Sequence, residues 1–166
     1  MTGKMGRAAG AALMIAMACG QANAANNDCW AAQTIAAAKV RDLQTMLMVA
    51  GLRCRGTGDD VLAGYNRFVA TNRAALVVFN DQLKGHFRAA YGSVEGQRSY
   101  DRFTTALANA YGAGGSGSAN CADMARLAAE AADARGSSTA LTAIAESRGA
   151  DPELPAQRCS VRIAAK

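Results

Sequence analysis

The chain is predicted to fold as an all-α domain, an antiparallel bundle of four to five helices held by two disulfides. Three observations predict this class. Apolar residues recur at spacings of three and four over long stretches, as in amphipathic helices. Runs that alternate β-branched and polar residues between turns, the usual signal of strands, are almost absent. Four cysteines remain after an N-terminal segment with the features of an export signal, and an even number in an exported chain indicates disulfides.

Residues 1–24 have the three parts of a cleaved signal peptide. Lys4 and Arg7 give a positive start, residues 8–18 form an apolar run, and Ala22-Asn23-Ala24 is a cleavage motif. The apolar run is shorter than the ~20 residues that cross a bilayer. We therefore expect a periplasmic or secreted bacterial protein.

Cys19 offers an alternative, attachment of a lipid. The preceding residues 16–18 lack the leucine that is usual in a lipobox. With signal cleavage Cys19 is removed, and residues 25–166 have the length of a single domain.

The sequence carries a formal charge of +5, yet its basic residues are scattered without a run or interleaved aromatic residues. This pattern is typical of a mixed, solvated surface rather than of a nucleic-acid-binding protein. No segment after the signal peptide is long and apolar enough to cross a membrane.

The first helix is predicted between Cys29 and Cys54, with Asn27 or Asp28 as its N-cap and Gly56 as its stop. Its apolar stripe comprises Ala36, Val40, Leu43, Leu47 and Ala50. Lys39, Arg41, Asp42 and Gln44 fall mostly off this stripe. At ~1.5 Å per residue the two cysteines lie about 37 Å apart, too far to bond each other.

A second, long helix is predicted from a capping box at Thr57 and Asp60 to about Tyr91. Its seam comprises Tyr65, Val69, Asn72, Leu76, Phe79, Leu83, His86 and Ala90. Gly85 is either a kink or a point of close helix approach. If unbroken, this helix reaches roughly 50 Å and either bends or overhangs the first.

Helix three is expected from Ser93 to Gly112, followed by a Gly/Ser linker at 112–118. Helix four begins after Asn120, and a short fifth helix spans Thr139 to Arg148. The tail 152–166 is expected to be irregular and held at Cys159.

Antiparallel packing of successive helices predicts the disulfide connectivity. The descending third helix brings Cys121 to the end of the bundle where Cys54 lies. The fourth helix climbs back, so the tail can reach Cys29. The predicted pairs are Cys54–Cys121 and Cys29–Cys159.

Catalytic and metal-binding patterns are weak. The single histidine, His86, has no second histidine with which to share a metal, and C-x-x-C-H, G-x-S-x-G and S-x-x-K motifs are missing. The acidic residues at 59–60 and at 151 and 153 are explained by capping and solvation. We therefore expect no catalytic residues, no metal and no cofactor.

Four residues are candidates for a pocket or an interface: Asn72, His86, Met46 and Met48. Asn72 occupies a seam position, so it is expected to be buried and hydrogen-bonded, either fixing helix register or lining a pocket. His86 lies on or beside the same seam. Met46 and Met48 make one end of the first helix apolar nearly all round, which suits a core or a binding patch.

The stretches VRDLQTMLMVAGLRCR (40–55) and YNRFV (65–69) resemble a family of small exported α-helical bacterial proteins without an assigned activity. The resemblance covers residues 29–111 and implies no ligand or catalytic residue. In size and architecture alone, the chain is similar to small disulfide-bonded helical immunity proteins of the bacterial periplasm, which is an analogy of fold.

These observations favour an exported, non-catalytic helical domain that binds another cell-envelope or secreted protein, of unspecified oligomeric state. Two alternatives remain. One is a small-ligand-binding protein with a pocket near Asn72, and the other is a hydrolase with carboxylates and His86 in one cleft.

Overall fold

The central element is α1 (Ala32–Arg53), against which every other helix packs. The computed structural model describes residues 29–113 and 121–159. Within these ranges there are six helices and no strand, and the remaining five are α2 (Val61–Thr71), α3 (Arg73–Tyr91), α4 (Ser93–Gly112), α5 (Cys121–Asp133) and α6 (Ser138–Ser147). The predicted all-α class is confirmed, with six helices instead of four to five.

The additional helix arises because the predicted second helix is divided at Asn72. This residue ends α2 and precedes α3, with φ −110° and ψ 12°, outside the helical range. Its side chain hydrogen-bonds to backbone groups of α5 and of the α5–α6 turn, and this bonding favours the break over a continuous helix. The predicted second helix is therefore interrupted at Asn72 and does not continue as one long helix that overhangs α1.

The predicted helix starts are partly wrong. The N-cap of α1 is Ala31, which has no side-chain cap, and Asn27 and Asp28 lie outside the described residues. The predicted capping box is wrong because Thr57 donates its hydroxyl to the Cys54 carbonyl at the end of α1. Consequently α2 begins only after Asp60, again without a side-chain cap.

The two disulfides are those predicted. Cys54–Cys121 joins the end of α1 to the start of α5, and Cys29–Cys159 joins the chain before α1 to the tail. Beside the latter disulfide, Trp30 and Arg158 form an isolated parallel β-bridge. The Trp30 amide donates to the Gln157 carbonyl at 2.8 Å, and the Cys159 amide donates to the Trp30 carbonyl at 2.9 Å.

The core lies around α1, whose buried residues face several directions because helices surround it. Small residues allow close approach. A Cβ on Gly64 in α2 would lie 2.9 Å from the Ala128 Cβ in α5. One on Gly96 would lie 2.6 Å from the Phe87 carbonyl oxygen, so α4 and α3 almost touch.

No helix in the described part of the chain has a stretch long and apolar enough to cross a membrane. The predicted signal peptide 1–24, with Cys19, lies outside the described residues, as do residues 114–118 of the linker and 160–166 of the tail. Residues 152–159 are irregular, as expected.

Candidate functional site

One face of α4 lines a groove whose opposite wall is the tail segment 149–155. We call this the α4 groove. It consists of two adjoining cavities, both lined by Phe103, Ala106 and Glu153. The larger has a volume of about 560 Å³ and the smaller about 230 Å³.

The larger, apolar cavity has an aromatic floor. Phe87 of α3 and Phe103 of α4 lie with their ring centroids 5.6 Å apart, and the buried Trp30 packs behind Phe103 at 5.8 Å. Leu154 and Pro155 of the tail supply the facing apolar surface. Aromatic pairs at these distances hold the floor rigidly in the core.

The rim of the apolar cavity carries an ion-pair cluster on the first turns of α4. Arg102 reaches the Glu95 carboxylate at 2.6 Å and the Ser99 hydroxyl at 2.9 Å. Its hydrogen bond, with its charge and that of Arg98, lowers the pKa of Glu95. Arg102 is therefore already engaged by an acid of its own helix.

The smaller cavity is acidic. Asp42 of α1 and Asp151 and Glu153 of the tail line it, together with Tyr111 at the end of α4. Asp42 is only 4 % exposed, and the Tyr111 hydroxyl hydrogen-bonds its carboxylate. Asp151 pairs with Arg158 at 3.1 Å, and among the described residues neither Asp42 nor Glu153 forms a salt bridge.

Burial dominates the electrostatics of this cavity. It raises the pKa of the Asp42 carboxyl, the hydrogen bond from Tyr111 acts in the opposite direction, and the negative charge of Asp151 adds to the rise. The pKa of Tyr111 is raised well above its ordinary value. The main cause is burial, and the negative charge of Asp42 and the hydrogen bond to Asp42 add to the rise. The described residues that line this cavity include no basic side chain that would oppose these shifts.

The tail that forms the second wall is fixed at both ends. The Ala150 amide donates to the Ala145 carbonyl in α6 at 3.0 Å. Beyond the groove, the parallel bridge and the disulfide of Cys159 secure the chain to residues 29 and 30. The groove thus has two walls of defined position.

Asn72 does not line this groove, nor any cavity described here. It is completely buried, and its Nδ2 donates to the Phe68 and Ala131 carbonyl oxygens, each at 2.9 Å. Its Oδ1 accepts from the Gly136 amide at 2.7 Å. Asn72 therefore connects the break between α2 and α3 to the turn between α5 and α6.

His86 lies against the aromatic core and lines neither cavity of the groove. Its ring centroid is 4.4 Å from that of Trp30 and 5.8 Å from that of Phe87. Burial lowers the pKa of the imidazole. The structure does not bring His86 into one cleft with the acidic residues.

Met46 and Met48 are half-buried on α1, and Met46 packs on the core. Leu52, one turn further, is 52 % exposed. This end of α1 is therefore partly covered, and the two methionines do not contribute to the α4 groove.

The groove residues were not among the predicted candidates. Asp42 falls off the apolar stripe of α1, which would place it in solvent if only one face of α1 were covered. The number of predicted helices could have indicated that Asp42 is buried, because a helix surrounded by other helices buries its polar residues as well as its apolar ones. Asp151 and Glu153 carry no pattern in sequence and meet Asp42 only through the fold of the tail.

Within the described ranges, no three His, Cys, Asp or Glu side chains are placed to hold a metal ion. The acidic cavity thus presents its carboxylates separately rather than as one ligand set.

Comparisons of this chain with protein-family models, with curated proteins and with solved structures found no match.

Proposed function

We propose that the chain is an exported, non-catalytic binding protein, and that the α4 groove holds a segment of another cell-envelope or secreted protein. The observation that carries this proposal is the groove itself. Its apolar cavity of about 560 Å³ has an aromatic floor and a polar rim, the usual composition of a binding site.

The chemistry of the lining supports binding rather than catalysis. The described residues that line the two cavities include no histidine, cysteine or lysine. The Ser99 hydroxyl accepts a hydrogen bond from Arg102, and the nearby Glu95 carboxylate is paired with the same Arg102 and has a lowered pKa, so it is a weak base for activating that hydroxyl. An activated nucleophile would need a stronger base as its partner.

Two long-range disulfides support export, because such bonds form and persist in oxidising compartments. Cys29–Cys159 also fixes the tail wall of the groove before a partner arrives. A preformed site binds with a smaller loss of conformational entropy than one that must be ordered.

A photo-crosslinking experiment tests the proposal. Benzoylphenylalanine replaces Ala106, an exposed residue that lines both cavities, and in a matched control it replaces the adjacent exposed Thr105, which lines neither. In living cells we expect one defined adduct with an envelope or secreted protein from position 106 and none from position 105.

The captured protein is then purified and its affinity measured. Ala106→Trp fills the groove and should weaken binding at least about tenfold, whereas Thr105→Trp should leave it unchanged. Equal affinity of both variants, or identical adducts from both positions, contradicts the proposal.

A further inference from the structure

The length of the α4 groove sets the number of residues that an extended segment needs to span it. Its α4 wall runs from Glu95 to Tyr111, which is about 24 Å at ~1.5 Å per residue. An extended strand advances ~3.3 Å per residue, so about seven residues span the groove.

The groove carries an excess of negative charge at the end lined by Asp42, Asp151 and Glu153. Arg102, the only basic residue among the described lining residues, is bound by Glu95. At the other end, Asp42 and Glu153 have no cationic partner among the described residues, and Asp151 has one exposed arginine. A segment that complements this groove carries a positive charge at the acidic end.

Asp42 adds a buried carboxyl group to the acidic cavity. A carboxylate that is 4 % exposed is strongly disfavoured unless a charge or several donors compensate it. Here it receives a hydrogen bond from the neutral Tyr111 and is repelled by Asp151. A cation entering the cavity would favour the charged form of Asp42.

The acidic cavity has room for such a group. Its volume of about 230 Å³ far exceeds the ~10–15 Å³ of cavity that holds a single water. A lysine side chain has five non-hydrogen atoms beyond Cα, and an arginine seven. One long basic side chain therefore matches the cavity.

The spacing between the cavities fixes the spacing of the segment. The α4 residues that line the apolar cavity run from 95 to 106 and those that line the acidic cavity from 103 to 111, so the midpoints of the two sets lie about 10 Å apart along the helix. This distance equals about three extended residues.

We propose that the α4 groove recognises an extended basic segment of the partner protein, in which one Lys or Arg enters the cavity of Asp42, Asp151 and Glu153. An aromatic or large apolar side chain three residues away covers Phe87 and Phe103. This inference rests on the proposed function and adds the chemistry of the ligand.

Two synthetic heptapeptides serve as probes, with Phe and Lys three residues apart in either order and glycine and alanine elsewhere. Binding is measured by amide chemical shifts of the full-length mature protein. We expect one order to perturb residues 102–111 and 149–155. Replacing the probe Lys by norleucine should weaken binding about tenfold, and added salt should weaken the Lys peptide alone.

Protein variants separate charge from shape. Asp151→Asn with Glu153→Gln, two exposed positions, should remove the preference for Lys over norleucine, and Asp42→Asn should reduce it. The matched control, Asp123→Asn with Glu130→Gln, removes the same charge on α5 and should change nothing.

Three results would overturn the inference: no perturbation by either peptide at millimolar concentration, equal affinity for the norleucine peptide, or equal affinity of propylamine alone. Each leaves the crosslinking result at Ala106 intact, so the ligand class can be wrong while the groove remains the binding site. Failure of the Ala106→Trp comparison, in contrast, removes the proposed function.

Discussion

Asp42, Asn72 and His86 show how differently three polar residues are accommodated near one core. Asn72 satisfies its amide through backbone groups of three segments and so fixes how they meet. Asp42 accepts a hydrogen bond from the neutral Tyr111 hydroxyl and faces a cavity. His86 is held against an indole ring, where its uncharged form is favoured.

Replacing Asn72 by Ala should destabilise the domain by about 2–4 kcal/mol, because it deletes three hydrogen bonds to largely buried backbone groups. Urea denaturation measures the change. The control Asn66→Ala, at an exposed position of α2, should lie within ~0.5 kcal/mol of the parent. Similar losses in both variants would show that the Asn72 network contributes little.

Below pH 6.5 the folded state should lose stability through His86. Its pKa in the folded state is below the ordinary 6.5, so in that interval the unfolded chain binds more protons. The contribution is complete above pH 6.5 and is lost as the pH falls toward the folded value.

His86→Phe keeps a ring against Trp30 and removes the titration. Melting temperatures from pH 8 to pH 5 should decrease less in this variant than in the parent. Asp42, whose raised pKa acts in the opposite direction, is common to both proteins and cancels in the comparison. Parallel curves would contradict the assignment.

At the scale of elements, contacts between helices are set by glycines that the sequence pattern does not distinguish. Gly85 was predicted as a kink or close approach, but no described atom lies within 4 Å of a Cβ built there. Close approaches lie instead at Gly96, where α4 meets the backbone of α3, and at Gly64, where α2 meets α5. A spacing pattern locates a glycine on a helix but carries no information on the neighbour that faces it.

Gly96→Ala should cost ~1–3 kcal/mol, because the new methyl group overlaps backbone atoms that cannot rotate away. Gly85→Ala is the matched substitution and should instead stabilise the protein by ~0.5–1 kcal/mol through helix propensity. Thermal and urea unfolding of the pair provide the test, and equal signs would contradict the packing of α3 on α4.

For the whole molecule, the connectivity of the disulfides followed from helix length and antiparallel order, and it is confirmed. The helical class followed from periodicity. The division at Asn72 depends on backbone groups of α5 and the α5–α6 turn, about 60 residues away in sequence. The groove depends on the path of an irregular tail that has no periodicity. A local sequence pattern encodes neither the division at Asn72 nor the groove.

Removal of Cys54 and Cys121 together, or of Cys29 and Cys159 together, should each cost about 2–5 kcal/mol by releasing a long loop in the unfolded state. The single substitution Cys54→Ser should leave Cys121 as a free thiol and Cys29–Cys159 intact. Non-reducing peptide mapping checks this, and a shuffled Cys29–Cys121 or Cys121–Cys159 bond would contradict the fixed geometry.

The α-carbons of residues 29 and 159 are 4.9 Å apart, little more than the 3.8 Å between consecutive residues. The described domain is thus almost a closed ring of polypeptide. A circular permutant that joins these positions through one or two glycines, and is cut within residues 112–118, should keep the α4 groove in reducing buffer. In the natural chain order, the same buffer would reduce Cys29–Cys159 and release the tail segment that forms the second wall of the groove.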